Sequence, residues 1–144
     1  MTAPDVVELG RRAVACPGWR WVPGMLDMRG RRAVDDREIP VWHDEGKSCE
    51  PYSPSGFYES RGDAVPVLTD SATLGALLGL VREAWAADGA LAVYAEPEGR
   101  REIENGTAWE VYACYPGGRV EFVSLGDSEA EALVRALEAA PVRS

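Results

Sequence analysis

The stretch from Trp109 to Leu125 constrains the fold of this chain more than any other. Trp109–Tyr115 alternates as a strand, with Trp109, Val111 and Ala113 on one face and Tyr112 and Cys114 on the other. Pro116-Gly117-Gly118 is turn chemistry, and Arg119–Leu125 returns as a second strand. A connection this short joins only antiparallel neighbours, because a parallel pair needs a crossover of about a dozen residues or more. The order read along the chain is helix, two or three strands, loop, helix, three strands, helix. It lacks the strand–helix–strand alternation of a doubly wound sheet. The expectation is a single α+β domain over 1–144, an antiparallel sheet of about five strands with three helices on one side.

Local signals place the other elements. Asp5 can cap a helix through Ala15 that carries Val6, Leu9, Ala13 and Val14, and Pro17-Gly18 stops it. Trp19–Val22 and Met25–Met28 read as strands around Pro23-Gly24, followed by strands at Ala33-Val34 and Ile39–Trp42. The segment 43–66 holds Pro51, Pro54, Gly56 and Gly62 and reads as one long loop, a lid, ligand loop or partner-binding arm. Leu74, Leu77, Leu78, Val81 and Trp85 recur at helical spacing, with Asp70 or Ser71 as cap and Asp88-Gly89 as stop. Leu91–Ala95 is a strand and Glu96–Thr107 a polar connection. Ser128 and Glu131 have capping-box spacing ahead of Leu133, Val134 and Leu137, and Pro141 closes that helix.

Charge narrows the function. Fifteen Lys+Arg stand against 24 Asp+Glu, a net charge of −9, and acidity is greater in the C-terminal half. Duplex nucleic acid and anionic membranes need clustered cations, so neither is an expected partner. The longest apolar stretch, Leu74–Val81, is far short of the roughly 18 residues of a membrane span. No signal peptide is visible in the first residues. Three cysteines at wide spacing, Cys16, Cys49 and Cys114, do not form a disulfide framework, which points to a reducing, cytoplasmic setting. Lys47 is the only lysine beside 14 arginines, a composition associated with high-GC bacterial or viral genes.

No motif signals a cofactor, a metal or a phosphate-cradling loop. His43 is the only histidine, and Cys49 follows six residues later. A small hydrolase would use His43 as its base, against the ordinary reading of a solvated loop histidine. A zinc site from His43, Cys16, Cys49 and Cys114 has no ligand spacing to support it. The acid pairs Asp35-Asp36, Asp44-Glu45 and Glu129/Glu131 read as solvated charges. The notable content is aromatic: five tryptophans, two of them in Trp19-Arg20-Trp21. On a regular strand these indoles share one face with Arg20 opposite. Stacking indoles and a guanidinium fork suit a nucleotide-like ligand. The candidate ligand-binding residues are therefore Trp19, Arg20, Trp21, Trp42 and His43, weighed against tryptophans that simply fill a core.

Two segments also carry a resemblance. Ala15-Cys16-Pro17-Gly18-Trp19-Arg20-Trp21-Val22-Pro23-Gly24-Met25, and the run from Leu68-Thr69-Asp70-Ser71 through Trp85, resemble small phage and prophage proteins, and the closing Glu-Ala-rich helix fits them too. The resemblance implies a context rather than an activity. Small acidic phage proteins are often accessory proteins that antagonise host defence. The expectation is a non-enzymatic protein in the bacterial host's cytoplasm that sequesters a nucleotide-derived signal. The alternatives are an inhibitor or DNA mimic that binds a host defence protein through its acidic surface, and the His43 hydrolase. A homo-oligomer is expected on the ground that small ligand-holding proteins gain pocket walls by assembling.

Overall fold

A computed structural model describes residues 5–33, 41–44, 57–59, 64–103 and 106–141, and only the backbone at 41–44, 57–59, 98–103 and 106–107. The protein is α+β. Its described elements are α1 (Val6–Val14), β1 (Arg31–Ala33), β2 (Val41–Asp44), β3 (Phe57–Glu59), α2 (Ser71–Ala86), β4 (Ala92–Ile103), β5 (Gly106–Cys114), β6 (Val120–Gly126) and α3 (Glu129–Ala139).

The three helices start where side-chain caps allow. Asp5 accepts from Val7 N at 2.9 Å, Asp70 from Thr73 N at 3.1 Å and Ser128 from Glu131 N at 3.1 Å, each satisfying an amide that the first turn leaves open. Glu131 completes its box by accepting from Asp127 N, one residue before the cap, and pairs with Arg135, so it is buried and not the solvated charge expected. α2 ends at Ala86, and Gly89, at φ +102, turns the chain back.

β4, β5 and β6 form an antiparallel sheet in that order. Helices α2 and α3 pack on one face of it, and α1 packs on α3. The core lies between these layers and holds Val93, Val111 and Ala113 from the sheet, Leu77, Leu80 and Val81 from α2, and Leu133, Val134 and Leu137 from α3. β6 meets α3 so closely that a Cβ on Gly126 would lie 2.5 Å from Ala132 N. The buried face of α2 is turned from the expected stripe. Thr73, Leu77, Leu80 and Val81 are buried, whereas Leu74, Leu78 and Trp85 are only partly so.

Several expectations are corrected. The strands do not make one sheet of about five: β1-β2-β3 is a separate, short antiparallel sheet. Trp19–Val22 forms no strand, and Met25–Met28 contributes only isolated bridges, Leu26 to Arg32 and Asp27 to Pro66. Pro23 and Gly24 (φ +95) turn the chain there before a ladder can form. The segment 43–66 is not one structureless loop, because 43–44 belong to β2 and 57–59 form β3; 45–56 and 60–63 lie outside the described residues. The polar segment 96–107 is mostly strand: β4 runs to Ile103 and β5 begins at Gly106, with a register shift between Pro97 and Glu102. Pairing with β5 outweighs the weak strand preference of Glu and Gly.

The N-terminal half is tied down by carboxylates. Asp27, 1% exposed, accepts from Arg29 N, Arg31 N and the Arg31 guanidinium. Asp70 receives both Arg32 nitrogens at 3.1 and 3.0 Å and the Thr73 hydroxyl at 2.9 Å, while the same hydroxyl oxygen accepts from Leu26 N at 2.8 Å. This network fastens the 24–33 hairpin to the start of α2.

Candidate functional site

The tryptophan–arginine group is brought together only in part. Trp19 and Trp21 meet edge to face, with ring centroids 5.3 Å apart and planes at 87°. Both pack against the main core, and Trp21 also covers Ala33 and Ala64. Arg20 forks Glu83 of α2 at 2.6 and 2.9 Å. That pair is exposed, 49% and 60%, so it adds little stability. It does occupy the guanidinium edge that a phosphate would need. The Trp19 indole N–H is buried and finds no acceptor among the described residues, whereas Trp85 donates to Ala136 O at 2.9 Å. Trp42 and His43 lie in β2, where Trp42 pairs with Ala33 and Tyr58, and His43 with Arg32 and Phe57. The backbone therefore sets Trp42 beside Ala33, the small residue under Trp21. The side chains of Trp42 and His43 lie outside the described residues, as does Cys49.

Cys16 is buried, and its thiol donates to Arg12 O at 3.3 Å. Burial pushes this thiol up, away from the thiolate that a nucleophile requires. Among the described residues no three His, Cys, Asp or Glu side chains are grouped to hold a metal. No helix among them is long and apolar enough to cross a membrane.

A second feature is the face of the β4-β5-β6 sheet that the helices leave uncovered. Tyr94, Tyr112 and Phe122 are cross-strand neighbours on it. The two tyrosines stack with centroids 5.5 Å apart, and Phe122 meets Tyr112 edge-on at 5.8 Å. Phe122 is 57% exposed and Val120 52%, and Leu125 on the same face is also exposed. In the next row along the strands, beside Tyr94 and Tyr112, Glu96 and Glu110 stand directly opposite each other, with Leu125 beyond Glu110. The Tyr112 hydroxyl donates to Glu110, and that bond, helped by burial and by the nearby carboxylates, pushes the phenol up to about 12.

The margin of this face is guarded along β4. Arg82 of α2 donates from Nε to Val93 O at 3.0 Å, covering an edge carbonyl. Two-residue parity puts Pro97 on the same outward side, where it offers no N–H. Between α2 and β4 lies an open groove of about 450 Å³, lined by Arg82, Ala86, Ala90, Leu91 and Tyr94 among others. Tyr94 thus belongs to both the groove and the aromatic row.

Sequence reasoning sets Tyr112 and Cys114 on their own face but does not single out Tyr94, Phe122 or the uncovered face. A signal was present: 109–114 is apolar on both sides of the strand apart from Glu110, while three helices suffice for only one side. No protein-family model, curated protein or solved structure matches the chain.

Proposed function

We propose that this chain is a non-enzymatic accessory protein that works by holding a partner protein on the uncovered face of its β4-β5-β6 sheet. The observation that carries the reading is the row Tyr94–Tyr112–Phe122, exposed at Tyr94 and Phe122 and half-buried at Tyr112, with exposed Val120 and Leu125 beside it. A contiguous apolar patch with a charged margin is the usual mark of an interaction surface. The phage context, and with it antagonism of a host defence protein, rests on the resemblance of 15–25 and 68–85. Copurification tests the reading. A bacterial partner should be retained by the wild-type chain as a complex of defined mass and lost by Phe122→Ser and Tyr94→Ser variants that remain folded. Equal retention by the variants refutes the reading.

Sequestration of a nucleotide-derived ligand is the second reading. It is favoured by one observation, the buried Trp19 N–H without an acceptor among the described residues, beside Trp21. Against it stands Arg20, already forked on Glu83. A thermal-shift panel of cyclic dinucleotides, cyclic oligonucleotides and ADP-ribose derivatives tests it. A ligand at 100 times its Kd adds about 2.7 kcal/mol of stability, and its recovery unchanged separates sequestration from hydrolysis. The His43 hydrolase has no described side-chain geometry in its favour.

A further inference from the structure

We propose that the partner surface received by this sheet face is basic: an arginine or lysine lodges at Glu96 and Glu110 while neighbouring apolar side chains lie on Tyr94, Tyr112 and Phe122. The inference rests on the reading of the face as a binding surface and adds the chemistry of what binds there.

Glu96 and Glu110 carry the argument. They are cross-strand partners in register, and like charges directly opposite destabilise a sheet. Other carboxylates of the fold are matched by arginines: Glu83 by Arg20, Glu121 by Arg119, Glu131 by Arg135 and Glu138 by Arg12. Neither Glu96 nor Glu110 has a cation among the described residues, and the one hydrogen bond here comes from the neutral Tyr112 hydroxyl. A partner's cation would relieve this opposition and find aromatic faces beside it. Tyrosine rings attract guanidinium groups, as the Tyr115 ring already does within this chain, with the Arg119 guanidinium 4.4 Å from its centroid.

The same chemistry disfavours other occupants. An aromatic row across three strands is a stacking platform for single-stranded nucleic acid, but two carboxylates alongside it repel phosphates. A second copy would bring another net charge of −9 and another pair of glutamates. Three strands about 4.8 Å apart and five residues long span roughly 240 Å². A stable pair of proteins buries about 800 Å² on each side. The face therefore suits an anchoring segment of a larger partner. Arg82 and Pro97 obstruct the β4 edge, and Arg135 Nη1 donates to Leu125 O on β6, the other edge strand, so that segment lies across the face rather than extending the sheet.

The test uses ¹⁵N-labelled full-length chain and two octapeptides. One is Ile-Ser-Ile-Ser-Arg-Ser-Arg-Ser, which in extended form puts both isoleucines and both arginines on one side. The other has glutamine in place of each arginine. The arginine peptide is expected to shift the amide signals of Tyr94, Glu96, Glu110, Tyr112 and Phe122. Its Kd should rise about tenfold or more when Glu96→Gln and Glu110→Gln are combined, and by a similar factor for the glutamine peptide. Phe122→Ser, at an exposed position, should abolish the shifts without unfolding the chain. Equal binding of both peptides on this face overturns the cationic assignment and leaves the face a binding surface. Shifts elsewhere, or none, overturn the proposal, and the copurification experiment then decides separately whether the face binds anything. Tighter binding of an oligonucleotide, or concentration-dependent self-association that broadens the same signals, also overturns it.

Discussion

Replacing Asp70 tests the joint between the N-terminal segment and the helical layer. This carboxylate accepts both Arg32 nitrogens at 3.1 and 3.0 Å and caps α2 through Thr73 N at 3.1 Å. The Arg32 guanidinium, followed by the Thr73 hydroxyl and amide, outweighs the opposing effect of burial and holds the carboxyl at about 2, below its ordinary 3.8. Tenfold stronger acidity in the folded chain is worth about 1.36 kcal/mol, and the side chain is 17% exposed. The ionised form therefore contributes about 2 kcal/mol at neutral pH. Asp70→Asn keeps a capping oxygen and loses the charge, so about 2 kcal/mol is lost. Asp70→Ala also removes the cap, about 1 kcal/mol more. For a chain of this size each kcal/mol moves Tm by about 2–4 °C. The Asn variant should melt roughly 4–8 °C below wild type, and the Ala variant roughly 6–12 °C below it. Because the folded carboxyl titrates below the unfolded one, its contribution is full above about pH 4 and is lost as pH falls toward about 2. Urea unfolding at pH 7, 4, 3 and 2 should show the gap between wild type and Asp70→Asn closing across that window. A gap that is absent at pH 7, or undiminished at pH 2, refutes the reasoning.

Two further outcomes follow from named contacts. Gly126→Ala places a methyl 2.5 Å from Ala132 N, a backbone atom that cannot swing aside, so β6 and α3 must separate; unfolding by chemical denaturation should show a loss of about 1–3 kcal/mol. An unchanged midpoint would mean the two elements have more freedom than this contact allows. In ultraviolet titration Tyr112 should ionise near 12, and Glu110→Gln should bring it down toward 10, because the bond to Glu110 is the largest cause of its raised value. No change in the titration of that variant would show that the hydroxyl does not donate to Glu110.

Much of the fold is legible from local chemistry. The caps Asp5, Asp70 and Ser128, the turn at Pro116-Gly117-Gly118 and the alternation of Val111, Tyr112 and Ala113 depend on residues within a few positions of each other. Trp19-Arg20-Trp21 reads as strand because its aromatic content resembles one, while packing against the core decides its shape. The candidate ligand group is legible as a composition, but the partner that occupies Arg20 lies 63 residues away.

By itself the sequence determined three capped helices, an antiparallel hairpin at the C-terminal end, and an acidic surface. Each follows from interactions a few residues long or from charge counted without regard to position. The tertiary structure decided the rest. It split the strands into two sheets, joined Arg32 to Asp70 across 38 positions, and set Glu96 against Glu110. It also decided which face of β4-β5-β6 the helices would cover. Alternation of apolar residues marks two faces of a strand equally, and only the docking of α2 and α3 makes one of them core and leaves Tyr94 and Phe122 exposed on the other.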